Sequence, residues 1–289
     1  MGREPQVAIR IAPRRKTADE WALVLASEGL HPEVGHTRGG FALAVPADEG
    51  DRAAAALAAY ERENPPAPAE EAPPPPANLA AGAVISGMLL AFFSITGPRN
   101  FAVDWFARGS ADAERILHGE TWRAATALTL HADLGHVVGN AIAGTIFIGA
   151  VCGALGIGLG AALVLVSGAL GNFANALFHG SHHTSVGAST AIFGAVGILA
   201  AWSVAHRRRR GTRGRRALAP IAAGLGLLAM LGASPRADLW GHFFGLAAGV
   251  LVCLAVAWSA RRPPGPGAQW LLGAATAATL LLCWSAALR

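Results

Sequence analysis

The sequence predicts an all-α polytopic membrane bundle behind a small N-terminal soluble α+β domain, and three observations lead there. Charged residues make up 14% and hydrophobic residues 53% of the 289 positions, whereas about a quarter of a soluble domain is charged. The apolar residues gather into blocks long enough to cross a hydrocarbon core, which takes about 20 helical residues. Mean hydropathy is accordingly positive, at +0.41. The third observation is the 36 glycines. Each would cost a soluble helix about 1 kcal/mol relative to alanine, but small residues let helix backbones approach closely in lipid.

Residues 1–63 form the soluble part. Residues 6–12 alternate as a strand does, and Thr17 opens an apolar periodic stretch to Leu30 with Asp19 and Glu20 in its first turn, where acidic groups favour a helix N-terminus. Residues 39–45 read as a strand and 51–63 as a second helix, giving β-α-β-β-α order with no catalytic constellation. The first 20 residues lack an apolar core, so no signal peptide is expected. Residues 64–78 are rich in Pro, Ala and Glu, with Pro73-Pro74-Pro75-Pro76 at their centre. This composition makes a semi-rigid extended linker.

The membrane domain, 79–289, holds seven apolar blocks: 79–95, 134–155, 156–178, 188–205, 217–232, 239–259 and 269–288. A connection of about 35 residues follows the first block and contains an amphipathic helix candidate at 110–117. Such a loop lies on or partly in the membrane. Cys152, Cys253 and Cys283 sit inside apolar blocks without metal-ligand spacing and read as small hydrophobes. His179, His182 and His183 cluster between the third and fourth blocks with no Cys or carboxylate close by in the sequence, so no metal site is assigned.

A net charge of +5 and a pI near 10.0 raise the question of nucleic acid. Seven arginines crowd into 207–216, however, between two blocks. A cytoplasmic loop obeying the positive-inside rule explains them better than a nucleic-acid patch. That orientation puts the N-terminus in the cytoplasm and the long first loop outside, and makes spans two, four and six run inward.

With that orientation, four polar residues fall at one depth on the external side. His136 and Asn140 are four apart at the start of span two and share a helix face, Ser189 opens span four, and His242 opens span six. A serine at a helix end can simply return a hydrogen bond to its own backbone, and His136 with Asn140 would serve equally as interhelical glue. Polar residues inside a span nevertheless mark a functional site by default. A serine needs an adjacent base to become a nucleophile, and histidine is the usual one. Donors aimed at a developing oxyanion complete an acyl-transfer site. Asn140, His136 and the Ser189 N–H supply them, and Gly187 permits close backbone approach. Gly241, Gly245 and Gly249 repeat every four residues on the histidine span and Gly194 and Gly197 lie on the serine span, which brings the two backbones together. Asp238 reads as a helix N-cap.

The membrane domain resembles the rhomboid family of intramembrane serine proteases. The resemblance rests on Gly119-Glu120-Thr121-Trp122-Arg123, on His136 and Asn140, on Gly187-Ala188-Ser189 with Ile192-Phe193-Gly194, and on His242 with Gly245 and Gly249. It covers about 79–259 and leaves 1–63 aside. It implies a Ser189–His242 dyad without an aspartate, an oxyanion hole lined by His136 and Asn140, Phe193 packed on the histidine ring, and no cofactor. The implied substrates are single-span membrane proteins cleaved in or next to the span, and the implied setting is a bacterial inner or cell membrane, amid lipid, with the site opening outward. The seventh span fits a six-plus-one layout. One departure is Thr190, where the family commonly has glycine; a β-branched residue there is expected to add bulk beside the oxyanion hole. The alternative is a catalytically silent rhomboid-like protein that binds or escorts membrane clients, although such relatives usually lack the serine or histidine. A transporter reading finds no inverted repeats to support it.

Overall fold

The computed structural model describes residues 5–64, 75–99, 104–209, 238–259 and 264–289, with side chains at all but 206–209 and 257–259. The block at 217–232, the arginine loop beyond residue 209, and Arg261 and Arg262 lie outside the described residues. The chain divides into two compact units, Met1–Pro73 and Pro74–Arg289.

The first unit is built on three antiparallel strands, β1 (Gln6–Ala12), β2 (Glu33–Thr37) and β3 (Gly40–Pro46), in the order β1-β3-β2. Thr37 pairs with Gly40 across a tight hairpin. Helices α1 (Arg15–Ser27) and α2 (Gly50–Glu63) cover one face. Strand alternation turns Leu43 and Val45 inward, and helical spacing turns Leu25, Ala53 and Leu57 to meet them.

In the second unit, α3 (Leu79–Thr96), α7 (Leu134–Leu155), α8 (Ile157–His179), α10 (Leu239–Ser259) and α11 (Pro266–Ala287) are the described helices long and apolar enough to cross a membrane. Between α8 and α10 comes α9 (Ser189–Arg209). Its apolar part, Ser189–Ala205, is shorter than α7 and α8, of 22 and 23 residues. The fold is thus a polytopic helical bundle with a small N-terminal α+β unit.

The loop before α7 is more structured than a single amphipathic helix. It holds α4 (Trp105–Gly109), the strand β4 (Ala111–Asp112), α5 (Ala113–Leu117) and α6 (Arg123–Thr126), then one 3-10 turn. Helices this short have no stability of their own, and polar contacts to the rest of the chain hold them. Arg123 is buried, at 2% exposure. Its guanidinium donates to Glu120 at 2.6 Å and to the Ala107 and Ser110 carbonyls at 2.8 and 3.2 Å. Asn172 of α8 donates to the Ala124 carbonyl at 2.9 Å. β4 pairs with β5 (Thr184–Ser185), which joins this loop to the segment leading into α9.

Candidate active site

The site is assembled where α7, α9 and α10 begin. Asp133 caps α7 by accepting the His136 N–H at 2.8 Å. His136 and Asn140 then follow on one face of its first turns. Gly187 sits at φ +124°, a conformation that L side chains rarely adopt, and a Cβ there would stand 2.6 Å from His136 Nε2 and 3.7 Å from Asn140 Nδ2. Both side chains therefore border the loop that delivers Ser189. The His136 Nδ1 accepts the Ala132 N–H at 3.4 Å, which leaves Nε2 as the protonated nitrogen, on the Gly187 side. The Asn140 amide donates to the His136 carbonyl at 3.0 Å and keeps its second hydrogen.

Ser189 is the first residue of α9, so its N–H lies in the turn whose amides find no partner within the helix. Its Oγ lies 2.9 Å from His242 Nε2. His242 is 7% exposed and stacks on Phe193, one turn after Ser189, with centroids 4.5 Å apart and planes 22° apart. The His242 Nδ1 is buried without a hydrogen-bond partner among the described residues. Asp238 does not reach it. Instead, Asp238 caps α10 through the Gly241 N–H at 2.9 Å and accepts from Asn175 at 2.7 Å, with His183 Nε2 at 3.0 Å. Burial alone would raise this carboxyl, but the His183 ring, the Gly241 N–H and the Asn175 amide hold it at about 2. Because that lies below the ordinary 3.8, its stabilising contribution is complete above about pH 4 and fades only as pH falls toward about 2.

The glycines at the α9–α10 crossing stand against backbone. A Cβ on Gly245 would overlap the Thr190 carbonyl, and one on Gly249 the Gly194 carbonyl. Trp122 packs with Leu130 and Trp284 in an apolar cluster, and Arg123 holds the first loop as described. These residues support the site without touching Ser189.

Thr190 packs toward a neighbouring helix. It is 4% exposed, and a Cβ built on Gly171 of α8 would lie 2.7 Å from its Cγ2, one on Gly245 3.0 Å from it. The methyl lies in the seam between α8 and α10, where glycines make room for it. Thr190→Gly should therefore lower stability by about 1–2 kcal/mol through lost packing and leave the rate of serine labelling within about threefold of wild type. A thermal melt alongside labelling kinetics checks both; a tenfold faster reaction would put the threonine back beside the hole.

His131 lies in the segment before α7. It is fully buried, and its Nε2 accepts the Ala188 N–H at 3.3 Å. Burial, with the His136 ring adding to it and the Thr129 backbone opposing, lowers its pKa to about 4, so it is neutral near pH 7 and available as an acceptor. The Gly187 N–H goes to the Ala127 carbonyl at 2.9 Å. The two amides just before the candidate nucleophile are thus tied to the segment 127–131. Its sequence signal was a second histidine five residues before His136, which no helical face explains.

Of the three clustered histidines, His179 and His183 stack with centroids 3.9 Å apart, and His183 serves Asp238. Among the described residues, no group of three or more His, Cys, Asp or Glu side chains gathers with metal-holding geometry. A family model described as the Rhomboid domain matches residues 118–259, which contain every candidate residue of the constellation. No curated protein matches the chain.

Proposed function

The chain belongs to the rhomboid family of integral membrane proteins, and from that premise we propose that it is an intramembrane serine endopeptidase with Ser189 as nucleophile and His242 as general base. The observation that carries this reading is the 2.9 Å contact between Ser189 Oγ and His242 Nε2, with hydrogen-bond donors grouped around Gly187. His242 takes the hydroxyl proton as Oγ attacks the scissile carbonyl, and returns it to the leaving amine. His136 Nε2–H, the Asn140 amide and the Ser189 N–H offer donors to the oxyanion, each worth about 3–4 kcal/mol in enzymes of this kind. Water then hydrolyses the acyl-enzyme by the reverse proton path. The Asp238 carboxylate, occupied by Gly241, His183 and Asn175, makes no hydrogen bond to His242.

The substrates are single-span proteins with small or helix-destabilising residues near the scissile bond, because a helix hides its carbonyls in its own hydrogen bonds. The seven arginines of 207–216 support, by the positive-inside rule, a site at the external side with the N-terminal unit in the cytoplasm.

The test is reconstitution in liposomes with a single-span reporter carrying such residues. Wild type is expected to cut it in or next to the span, while Ser189→Ala leaves it intact. Cleavage retained by Ser189→Ala would sink the proposal. A folded wild type that neither cleaves nor reacts with a fluorophosphonate would instead favour the client-binding alternative.

A further inference from the structure

The C-terminal helix α11 spans the bundle beside the domain core, and its outer face is lipid-like, with Trp270, Leu271, Leu281 and Leu282 all at least 70% exposed. Its polar contacts lie at its two ends. Near the start, the Gln269 amide donates to the Leu155 carbonyl at 2.9 Å and accepts the Leu159 N–H at 2.9 Å, bridging the end of α7 to the beginning of α8. Near the finish, Trp284 is 8% exposed and donates its indole N–H to Thr129 Oγ1 at 3.1 Å. The Thr129 hydroxyl passes its own hydrogen to the Thr126 carbonyl at 2.8 Å, so it is fixed as donor and acceptor together.

Thr129 sits in the segment that holds the candidate nucleophile's loop. Ala127, two residues before it, accepts the Gly187 N–H, and His131, two residues after it, accepts the Ala188 N–H. Apolar packing alone explains a large side chain here, since Phe92 and Trp105 lie with centroids 5.2 and 5.4 Å from the indole. It does not explain a buried N–H directed at that hydroxyl. We propose that Trp284 is a positioning residue: its hydrogen bond to Thr129 holds segment 127–131 in the register that seats Gly187 and Ala188, and so aligns Ser189 with its oxyanion donors. The C-terminal helix α11 is on this account a working part of the protease, and the kinetic half of the proposal rests on the protease reading above.

The full chain in liposomes tests it with Trp284→Phe, which keeps an aromatic ring, and Thr129→Val, which keeps the shape of threonine. Each is expected to lower kcat on a single-span reporter about fivefold, the worth of one hydrogen bond, with KM within about twofold. The double variant should be no slower than either single, and Thr129→Ser should restore the rate. Hydrogen exchange reads the positioning independently of activity. Both single variants should speed exchange of the Gly187 and Ala188 amides, and Thr129→Ser should not. Unchanged exchange in both variants overturns the proposal even if wild type proves inactive, and so do multiplying losses in the double variant. Faster exchange in a chain that cleaves nothing would uphold the positioning and count against the protease reading alone.

Discussion

Cleavage by His242→Ala is expected to be slower than wild type by on the order of 10⁴–10⁶-fold, as is that by Ser189→Ala, and the double variant should be no slower than either. A serine hydroxyl does not ionise near neutral pH, so Ser189 is inert without a base at hydrogen-bond distance, and His242 supplies the one at 2.9 Å. Once either partner is gone, removing the other takes nothing further away. The buried Nδ1 of His242 has no partner among the described residues, so none of them forms a third member of a relay. Asp238→Asn is accordingly expected to lower the melting temperature through the weakened α10 cap and leave kcat near wild type. Single-turnover cleavage of a reporter, with fluorophosphonate labelling of the same preparations, measures all four variants. Rate losses that multiply in the double variant would show that the two residues act separately and would remove the dyad.

The second large effect comes from residues with no reactive group. Gly245→Ala is expected to reduce labelling of Ser189 at least 100-fold, and Gly245→Val to prevent folding of the bundle. The Gly245 Cα rests against the Thr190 carbonyl, one residue after the proposed nucleophile, and Gly249 repeats the contact one turn on against Gly194. A methyl group at Gly245 meets backbone, which no rotamer change relieves, so α10 must shift away from α9 and carry His242 with it. A displacement of about 1 Å costs about 10²-fold in positioned chemistry. Gly87→Ala on α3, where nothing lies within 4 Å of the added carbon, is the matched control and should label normally. Wild-type labelling in Gly245→Ala would mean that the helix contact does not set the Ser–His distance.

The features legible in the sequence were those with a period. The apolar blocks gave the spans, the four-residue spacing of His136 and Asn140 gave their common face, and the glycine repeat gave the α9–α10 contact. Asp238 was legible as a cap because capping is local. Its second oxygen was not, since His183 and Asn175 reach it from a distant loop and helix. The first loop showed one amphipathic helix candidate, at 110–117, whereas its short helices are fixed by the Arg123 and Asn172 side chains, which no window of local propensity includes. Trp284 meets Thr129 across 155 positions, and an alanine- and leucine-rich span gives no hint of it. The contact of Thr190 with Gly171 of α8 was not legible, because spacing fixes a residue's face only when the neighbouring helices are known.

The shortness of α9 has a consequence for depth. The 17 apolar residues of Ser189–Ala205 rise about 26 Å at 1.5 Å each, against a hydrocarbon thickness of about 30 Å. A lone helix with this mismatch would draw the bilayer thinner around itself. α9 is shielded from lipid by α7, α8 and α10, so the bilayer cannot adjust to it. On the orientation proposed above, the shortfall falls at the serine end. On that proposal the Ser189 hydroxyl lies about 4 Å beneath the level where an ordinary span would finish, at a depth written into the chain as a number of residues.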